Sequence, residues 1–372
     1  MIVYGATLDT PTIVKACNDK AKHNVRLATL EDYYEGNQAI LQRHYDDPTK
    51  PNNRIVVNYC KDIADFITSY VVGQPVKVTA PQAVLDAMAA NDEQAELHDV
   101  VHDMTVCGFG CELFYFDECG EVHYDDIDPT ECIVFYDDDL KSHITGFVRM
   151  VKQPDETYDV TVYDATSVWT YKLNAALSQL TLVEDAYEHH FGDVPIVFYP
   201  NGHDMQGNFE QVIPLQDALN KVVSDSVNDW ESFVDSYLVL ENMQGTTQDD
   251  IAAMKANRVL LTDPDSKAYW LTKTADNDRI KTLQDDLRGM ILELGNVPDL
   301  KDITGLSVSG EAMKFKLTKT EIQASRIERI VTAGIMRKVL LLSNVLSLTT
   351  TVEAVDVEIE FTRNFIMTGE EV

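Results

Sequence analysis

Two stretches near the amino terminus decide the organisation of this chain: residues 33–44 read YYEGNQAILQRH, and residues 50–76 read KPNNRIVVNYCKDIADFITSYVVGQPV. Apolar residues at helical spacing predict a first helix over residues 30–44. The Asp, Pro and Asn residues of the segment 47–53 interrupt this pattern and predict a loop. A second helix is predicted over residues 56–72, because its apolar residues share one face and Gly and Pro follow it.

The composition is that of a folded protein with an unusual charge. The chain is 45% hydrophobic and 25% charged, which is typical of globular proteins. Its length of 372 residues predicts two or three structural units. Sixty-two Asp and Glu residues against 30 Lys and Arg residues give a formal net charge of -32. This charge argues against nucleic-acid binding over the whole surface.

Other sequence features concern location and redox state. The longest apolar stretch, residues 330–346, is interrupted by Arg337 and Lys338, so we expect no membrane span. The amino terminus lacks the apolar core of a secretory signal, which predicts a cytosolic protein. The six cysteines contain no Cys-x-x-Cys pair, which favours reduced thiols over a disulfide framework or a zinc ribbon.

The remaining periodicities predict an α+β protein. A helix is predicted over residues 93–106, and the segment 111–200 contains several short alternating runs that predict a β-rich lobe. Helical spacing returns over 214–240 and again over 276–294. The predicted elements that complete the chain are a small module at 242–274 with a short helix at 249–255 and strands at 258–262 and 268–272, a Gly/Ser loop at 303–310, a long helix at 312–345 and a terminal strand at 355–364.

Charge is distributed unevenly along these helices. The predicted helix 214–240 has an acidic side, which carries Asp217, Asp225, Asp229, Glu231 and Asp235. Residues 311–338 instead contain seven basic and three acidic side chains, a local net charge of +4. This basic segment has two interpretations, a weak contact for phosphates or an exposed face that balances the acidic remainder.

The candidate chemical sites are weak. The chain has no phosphate-binding Gly-x-x-x-x-Gly-Lys-Ser/Thr motif, and no catalytic arrangement can be singled out. Two histidines four residues apart, neighbouring carboxylates and two cysteines are compatible with a metal site, but an ordinary polar helix face and core packing are favoured: His98, His102, Asp99, Asp103, Cys107 and Cys111. The aspartate groups at 125–128 and 137–139 lack the order of a calcium loop. We therefore expect no enzyme, metal or cofactor, and the alternative is a metal-dependent nucleic-acid-processing enzyme.

The quoted stretches resemble the amino-terminal signature of portal proteins, the head–tail connectors of tailed bacteriophages with long non-contractile tails. The later segments VPDL (297–300), SGEAMKFKL (309–317) and EIEFTRN (358–364) resemble, in order, further parts of the same family. Two departures occur: Phe365 stands where the family usually has Pro, and the chain stops at Val372 without the family's helical crown. The crown is expected to be absent or truncated.

The resemblance implies a portal fold with a β-rich and helical wing, two stem helices and a small α/β clip. The implied divisions are 1–213 for the wing, 214–241 and 276–295 for the stem helices, 242–275 for the clip, 296–310 for the tunnel loop, 311–348 for the long wing helix and 349–372 for the terminal strand. The same resemblance assigns residues to the DNA-proximal set (Lys301, Thr304, Ser307, Lys314), the tunnel loop (Asp299, Gly305, Ser309, Gly310) and the clip contacts between subunits (Leu260, Leu261, Tyr269, Trp270).

The function implied by this resemblance is structural. A homo-oligomeric ring, a dodecamer of about twelve copies, would stand at one capsid vertex of the virion. Double-stranded DNA would pass through it during packaging and viral genome ejection. The implied partners are the terminase motor, capsid and scaffolding protein, and the head–tail adaptor, with assembly in the host cytoplasm.

Overall fold

The chain divides into two compact units. The computed structural model describes residues 1–47, 50–234, 237–241, 247, 249, 267–271, 277–299, 317–352 and 355–363. Unit 1 comprises residues 1–37, 58–214 and 290–372, and unit 2 comprises residues 38–57 and 215–289.

Helices and strands alternate irregularly along the described chain. The helices are α1 (Thr10–Glu35), α2 (Tyr59–Val72), α3 (Gln82–Ala90), α4 (Glu93–Cys107), α5 (Ile213–Val234), α6 (Asn277–Leu294) and α7 (Thr318–Leu346). The strands are β1 (Ile2–Tyr4), β2 (Lys77–Thr79), β3 (Phe109–Phe116), β4 (Val122–Asp126), β5 (Cys132–Tyr136), β6 (Ile144–Lys152), β7 (Tyr158–Tyr163), β8 (Ser167–Leu173), β9 (Leu180–Glu188), β10 (Ile196–Pro200), β11 (Tyr237–Glu241), β12 (Lys267–Leu271) and β13 (Glu358–Glu360). Short 3-10 helices lie at Ala39–Gln42, Pro129–Glu131 and Glu210–Val212.

The described residues of unit 1 form three sheets. A six-stranded sheet has the order β1-β5-β6-β7-β8-β9, in which β1 is parallel to β5 and the other neighbours are antiparallel. A second sheet has the order β10-β3-β4, and β13 pairs with β2 in a third. Unit 2 contains the β11-β12 pair. Because successive strands mostly pair directly while helices pack separately, the predicted α+β class is confirmed.

The sequence periodicity predicted some elements correctly. The predicted helix 93–106 is α4, the predicted helix 276–294 is α6, and the seven alternating runs between residues 111 and 200 are β3 to β8 and β10. The long predicted helix corresponds to α7, which begins at Thr318, whereas residues 300–316 lie outside the described residues. The predicted strand at 258–262 and most of the short helix at 249–255 also lie outside them.

Three helix boundaries differ from the prediction. The helix expected over 30–44 is the end of α1, which starts at Thr10 and stops before Gly36, whose φ of 93° is left-handed. The second helix starts at Tyr59 rather than residue 56, because Asn58 Oδ1 caps it by accepting from Lys61 N and the preceding residues are extended. The helix expected over 214–240 ends at Val234, and Tyr237–Glu241 form strand β11 instead.

Unit 1 is organised around two apolar clusters. The larger joins α2, α3, α4 and α7 to the β10-β3-β4 sheet, and the smaller packs α1 against β5, β6, β7 and β8. In the larger cluster, Gly334 of α7 lets Tyr199 of β10 approach closely, since a Cβ at Gly334 would lie 2.0 Å from the tyrosine ring. This approach places the hydroxyl of Tyr199 in the interior.

A buried ionic cluster lies at the centre of this packing. Lys338 of α7 is fully buried, and its Nζ donates to Glu93 of α4 at 2.7 Å and to Glu112 of β3 at 2.6 Å. The hydroxyls of Tyr124 and Tyr199 donate to the same two carboxylates, each at 2.6 Å. Burial raises the pKa of Glu93. Burial lowers the pKa of Lys338, but attraction by Glu112 and Glu93 outweighs this effect and raises it, so the cluster keeps the lysine charged.

Arginines attach further segments to α7. Arg337 donates to Asp193 at 3.0 Å and to the carbonyls of Ile196 and Val194 at 2.7 and 2.9 Å, so α7 is fixed to the start of β10. Arg363, which follows β13, donates to Glu321 at 3.0 Å and also to Glu328. The segment after α7 therefore runs back along the helix that precedes it.

Replacing Lys338 by Met should cost about 3–5 kcal/mol of unfolding free energy, because two buried carboxylates would lose their cation. The measurement is urea unfolding at pH 8 and at pH 5. The loss should be smaller at pH 5, because burial raises the pKa of Glu93 and its protonation removes one of the two abandoned charges. Lys319→Met is the matched control, since Lys319 is exposed and solvent screens its pair with Glu293, so this substitution should leave stability nearly unchanged. Equal effects of the two substitutions would contradict the assignment of the ionic cluster as a stabilising constraint.

Candidate assembly and channel surfaces

Helix α5 buries a polar face inside unit 2. Four side chains at intervals of four residues are at most 9% exposed: Gln216, Asn220, Ser224 and Asn228. Each bonds to the extended segment 53–57. Asn228 Oδ1 accepts from Asn53 N at 2.8 Å, Ser224 Oγ accepts from Ile55 N at 2.9 Å, and Asn220 Oδ1 accepts from Val57 N at 2.9 Å. Gln216 Nε2 donates to the Val57 carbonyl at 2.5 Å.

The repeat distances of helix and strand explain this polar ladder, the name used here for Gln216, Asn220, Ser224 and Asn228. Four residues of an α-helix advance about 6 Å, and two residues of an extended chain advance about 6.6 Å. Every fourth helix residue therefore meets every second amide of the segment, the amides of residues 53, 55 and 57. In a sheet, the amides of such a segment would donate to the backbone of a neighbouring strand. Here they donate to side chains of α5.

The acidic side of α5 is partly occupied within unit 2. Arg43 donates to Asp225 at 2.6 Å, and Asn53 Nδ2 donates to Glu231 at 2.8 Å. Asp217 and Asp229 are half-buried on the same helix. On α6, Asp278, Asp285 and Asp286 are exposed and face solvent.

The flanks of the predicted tunnel loop lie next to one another. Thr320 Oγ1 at the start of α7 donates to the Asn296 carbonyl at 2.6 Å, and Lys319 pairs with Glu293 at 2.8 Å. The chain therefore departs after α6 and returns at α7 from adjacent points. This geometry is that of a closed excursion whose two ends are fixed.

Most residues of the predicted sites lie outside the described residues. Asp299 is half-buried at the beginning of the predicted loop. The others of the DNA-proximal and tunnel-loop sets lie outside the described residues: Lys301, Thr304, Ser307, Lys314, Gly305, Ser309 and Gly310. Of the predicted clip contacts, Tyr269 and Trp270 are in β12 opposite Val239 and Leu238 of β11, while Leu260 and Leu261 lie outside the described part of the chain.

The weak metal candidates are dispersed. His98 Nδ1 lies 3.3 Å from Asp99 and His102 Nδ1 lies 3.8 Å from Asp103, so each histidine associates with its own neighbour. Cys107 and Cys111 are buried thiols, and burial raises the pKa of both. Among the described residues, no group of three or more His, Cys, Asp or Glu side chains is arranged to hold a metal ion. No helix of the described residues is both long enough and apolar enough to span a membrane.

Acidic side chains crowd together at the end of β4. Burial, followed by repulsion from Asp103 and Asp99, raises the pKa of Asp126 to about 8. Its backbone amide donates to Glu96 at 3.0 Å, and burial also raises the pKa of Glu96. These carboxyls repel one another when ionised, which adds a structural cost at high pH.

Sequence reasoning missed the polar ladder. The apolar residues of α5 drew attention to its opposite face, yet the repeat of Gln, Asn, Ser and Asn every four residues was visible in the sequence. The complementary signal was the run of β-branched residues at 55–57 immediately before an Asn cap, because such residues favour extended backbone. Neither pattern indicates a contact without knowledge that the two segments meet.

Comparison with known proteins defines the family. The model of the phage portal protein family, SPP1 Gp6-like, matches residues 15–372. The chain therefore belongs to this family of phage portal proteins, which are structural components of the virion. The resemblance noted in the sequence is confirmed.

Two curated relatives are portal proteins. The portal protein of Bacillus phage SPP1 is 24% identical over 327 residues, which cover 82% of this chain and 64% of that protein. The portal protein of Clostridium phage phiCD119 is 22% identical over 355 residues, covering 83% of this chain and 76% of that protein. The aligned region therefore spans less than two thirds of the SPP1 protein.

Two solved structures are also similar. A chain from the virion of a native gene transfer agent particle aligns with a TM-score of 0.48 and 12% identity, covering 81% of this chain and 79% of its own length. An HK97-family phage portal protein from Corynebacterium diphtheriae aligns with a TM-score of 0.40 and 9% identity, covering 81% and 90%.

Asn220→Ala should destabilise unit 2 by about 2–3 kcal/mol, because it leaves the Val57 amide and the Gln38 side chain without their buried partner. Hydrogen exchange at the Val57 amide should become faster, and urea unfolding should report the lost free energy. Lys221→Ala changes an exposed neighbour on the same helix and should stay within about 0.5 kcal/mol of the parent. Unchanged protection of Val57 would contradict the role of the polar ladder.

Asp126→Asn should stabilise the fold at pH 8 and have little effect near pH 4. A carboxyl whose folded-state pKa exceeds its unfolded value of 3.8 binds a proton more tightly when folded, so its ionisation lowers stability as pH rises from about 4 to about 8. Partial exposure limits the gain at pH 8 to roughly 1–2 kcal/mol. Urea unfolding across this range measures it, with the exposed Asp125→Asn as control. A gain that does not grow with pH would argue against the raised pKa.

Proposed function

We propose that this chain is the subunit of a portal vertex, a non-enzymatic homo-oligomeric ring through which double-stranded DNA is packaged and ejected. The observation that carries this proposal is the family match over residues 15–372. About twelve copies would form the ring, which is the number that the family resemblance implies, and the ring closes if the rotation between successive copies divides the full circle evenly. The ring would reside at the capsid vertex and assemble in the host cytoplasm.

The proposed channel is formed from acidic helices. Helices α5 and α6 are its stem helices, and their carboxylates would face a DNA backbone of the same sign. A passage rich in Lys and Arg would hold DNA, because each neutralised phosphate releases counterions and strengthens binding. Exposed acids such as Asp285 and Asp286 of α6 favour passage over retention.

The tunnel loop supplies the proposed weak contact with DNA. Its flanks are fixed at Asn296 and Thr320 by the hydrogen bond between them. Lys301 and Lys314 stand within this excursion in the sequence, and they are the cations that we assign to the phosphate backbone. Contacts to phosphates position DNA without reading its sequence, as a conduit requires.

The partners follow from the same proposal. The segment between α5 and α6 is the clip, which would face the terminase motor during packaging and the head–tail adaptor afterwards. Tyr269 and Trp270 lie in β12 of this segment, which pairs with β11, and they would contact neighbouring copies. Capsid and scaffolding protein would contact the wing. The whole assembly needs no catalytic residue and no cofactor.

Reversing Lys301 and Lys314 to Glu should reduce the length or rate of DNA packaged into infectious particles while rings still assemble. Lost attraction to phosphates near the loop is the physical reason. The measurements are negative-stain imaging of rings and quantification of packaged DNA. Lys15→Glu with Lys22→Glu is the control, because it changes charge equally at exposed positions of α1.

Two results would count against the proposed function. A purified chain that stays monomeric in every assembly condition would contradict the ring. Divalent-metal-dependent nuclease or ATPase activity would contradict the non-enzymatic assignment. Normal packaging by the Lys301 and Lys314 variant would instead remove only the DNA-proximal assignment of those residues.

A further inference from the structure

The outward side of α7 has a composition unlike the rest of the molecule. Exposed residues recur every three or four positions along this helix and form one stripe, here called the α7 stripe: Ile322, Arg326, Arg329, Ala333, Met336 and Leu340. Its large apolar members are well exposed, with Ile322 at 67%, Met336 at 47% and Leu340 at 51%. Exposed large apolar side chains that share one helix face with arginines indicate a surface that can bind another protein.

The arginines of the α7 stripe lack acidic partners among the described residues, whereas the other cations of α7 have them. Lys319, Arg337 and Lys338 each pair with a carboxylate. Arg326 donates to the Asn201 carbonyl, and Arg329 Nε donates to the Ser325 carbonyl. In a chain with 62 acidic residues, two arginines one helical turn apart whose hydrogen bonds go to carbonyls favour an acidic partner.

Strand β9 has the complementary composition. It is the last strand of the six-stranded sheet, so one edge of its backbone is unpaired within that sheet. Leu182, Val183 and Tyr187 are 48%, 59% and 57% exposed, and each face of the strand carries both exposed apolar and exposed acidic side chains. None of these acids, Glu184, Asp185 and Glu188, forms an ion pair with a Lys or Arg of the described chain.

We propose that the α7 stripe of one copy of this chain docks against strand β9 of the next copy. This inference rests on the proposed ring and identifies the surfaces that build it. The lengths match, because Ile322 to Leu340 spans about 27 Å of helix and the nine residues of β9 span about 30 Å. Apolar side chains would be covered while arginines meet carboxylates.

The charges also select the symmetry of the contact. If two copies met through the same surface, arginines would face arginines on α7, and carboxylates would face carboxylates on β9. Such isologous contacts are repulsive, so the favourable pairing joins different surfaces of successive copies. A head-to-tail contact of this kind repeats around an axis and produces a closed ring when the rotation closes.

Double-stranded DNA is the other anionic candidate for this stripe, and its composition argues against it. Surfaces that bind DNA are rich in Lys and Arg and more polar than protein–protein interfaces. The α7 stripe has two cations and three large exposed apolar side chains. It therefore fits a protein surface that is both acidic and apolar.

The experiment compares assembly of the full chain as a function of concentration, by mass photometry and negative-stain imaging. Arg329→Glu with Met336→Asp should raise the concentration needed for assembly at least tenfold. Lys141→Glu with Leu140→Asp is the matched control, because it introduces the same charge changes at exposed loop positions and should assemble normally. Far-UV circular dichroism and thermal unfolding should be unchanged in both variants.

A charge exchange tests the partner surface. Asp185→Arg alone should weaken assembly, and Arg329→Glu combined with Asp185→Arg should restore it, because the reversed charges would attract again. Failure of this restoration, or normal assembly of Arg329→Glu with Met336→Asp, overturns the inference. If the latter variant forms rings but loses binding to a short DNA duplex, the stripe is a nucleic-acid surface and the inference is wrong.

The outcomes separate this inference from the proposed function. Rings formed equally well by the parent chain and by every variant would overturn the docking of α7 on β9 while the portal ring stands. A parent chain that never forms rings contradicts both.

Discussion

The charged amine of Lys338 is the constraint on which unit 1 depends. It lies where α7 crosses α4 and β3, and its two carboxylate partners carry the tyrosines of β4 and β10 with them. An apolar core tolerates sliding of one element against another, whereas a buried amine must keep its acceptors within about 3 Å. The cluster therefore defines one register for five elements. Arg337 and Arg363 then fix β10 and the segment after α7 to the same helix.

Unit 2 is held together by different physics. The polar ladder replaces apolar packing along one face of α5, and each of its bonds satisfies a backbone group that would otherwise be buried without a partner. A neutral hydrogen bond contributes about 1 kcal/mol to stability. Removing one of its two groups costs considerably more, because the remaining group is buried without a partner. The result is a connection whose specificity exceeds its strength. Arg43 and Asp225 add one charged bond at the end of the ladder.

Local pattern explains how much of this fold was predictable. Alternating runs such as YDVTVY, which is β7, determine their own strand, because side chains on one face pack into the cluster with α1 and those on the other face are only half-buried. The helix over 30–44 was mispredicted because Gly36 terminates α1 within that window. Residues 53–57 were assigned partly to a helix because their extended form depends on α5, some 160 residues away in the sequence. In the sequence, Lys338 only interrupts an apolar run. Its partners, Glu93 and Glu112, lie more than 200 residues away, so no local spacing of residues indicates them. Distant contacts therefore determined what local periodicity could not.

The matched repeats of α5 and the segment 53–57 make relative displacement discrete. A shift by one repeat in one direction would bring Pro51, which has no amide hydrogen, opposite Asn228, and intermediate positions would leave donors facing no acceptor. The segment could therefore move along α5 only in steps of about 6 Å, because smaller displacements break the hydrogen bonds without forming new ones. The bond from Asn220 Nδ2 to Gln38 and the bond from Arg43 to Asp225 select a single step. These two bonds therefore fix the register of the segment 53–57 on α5.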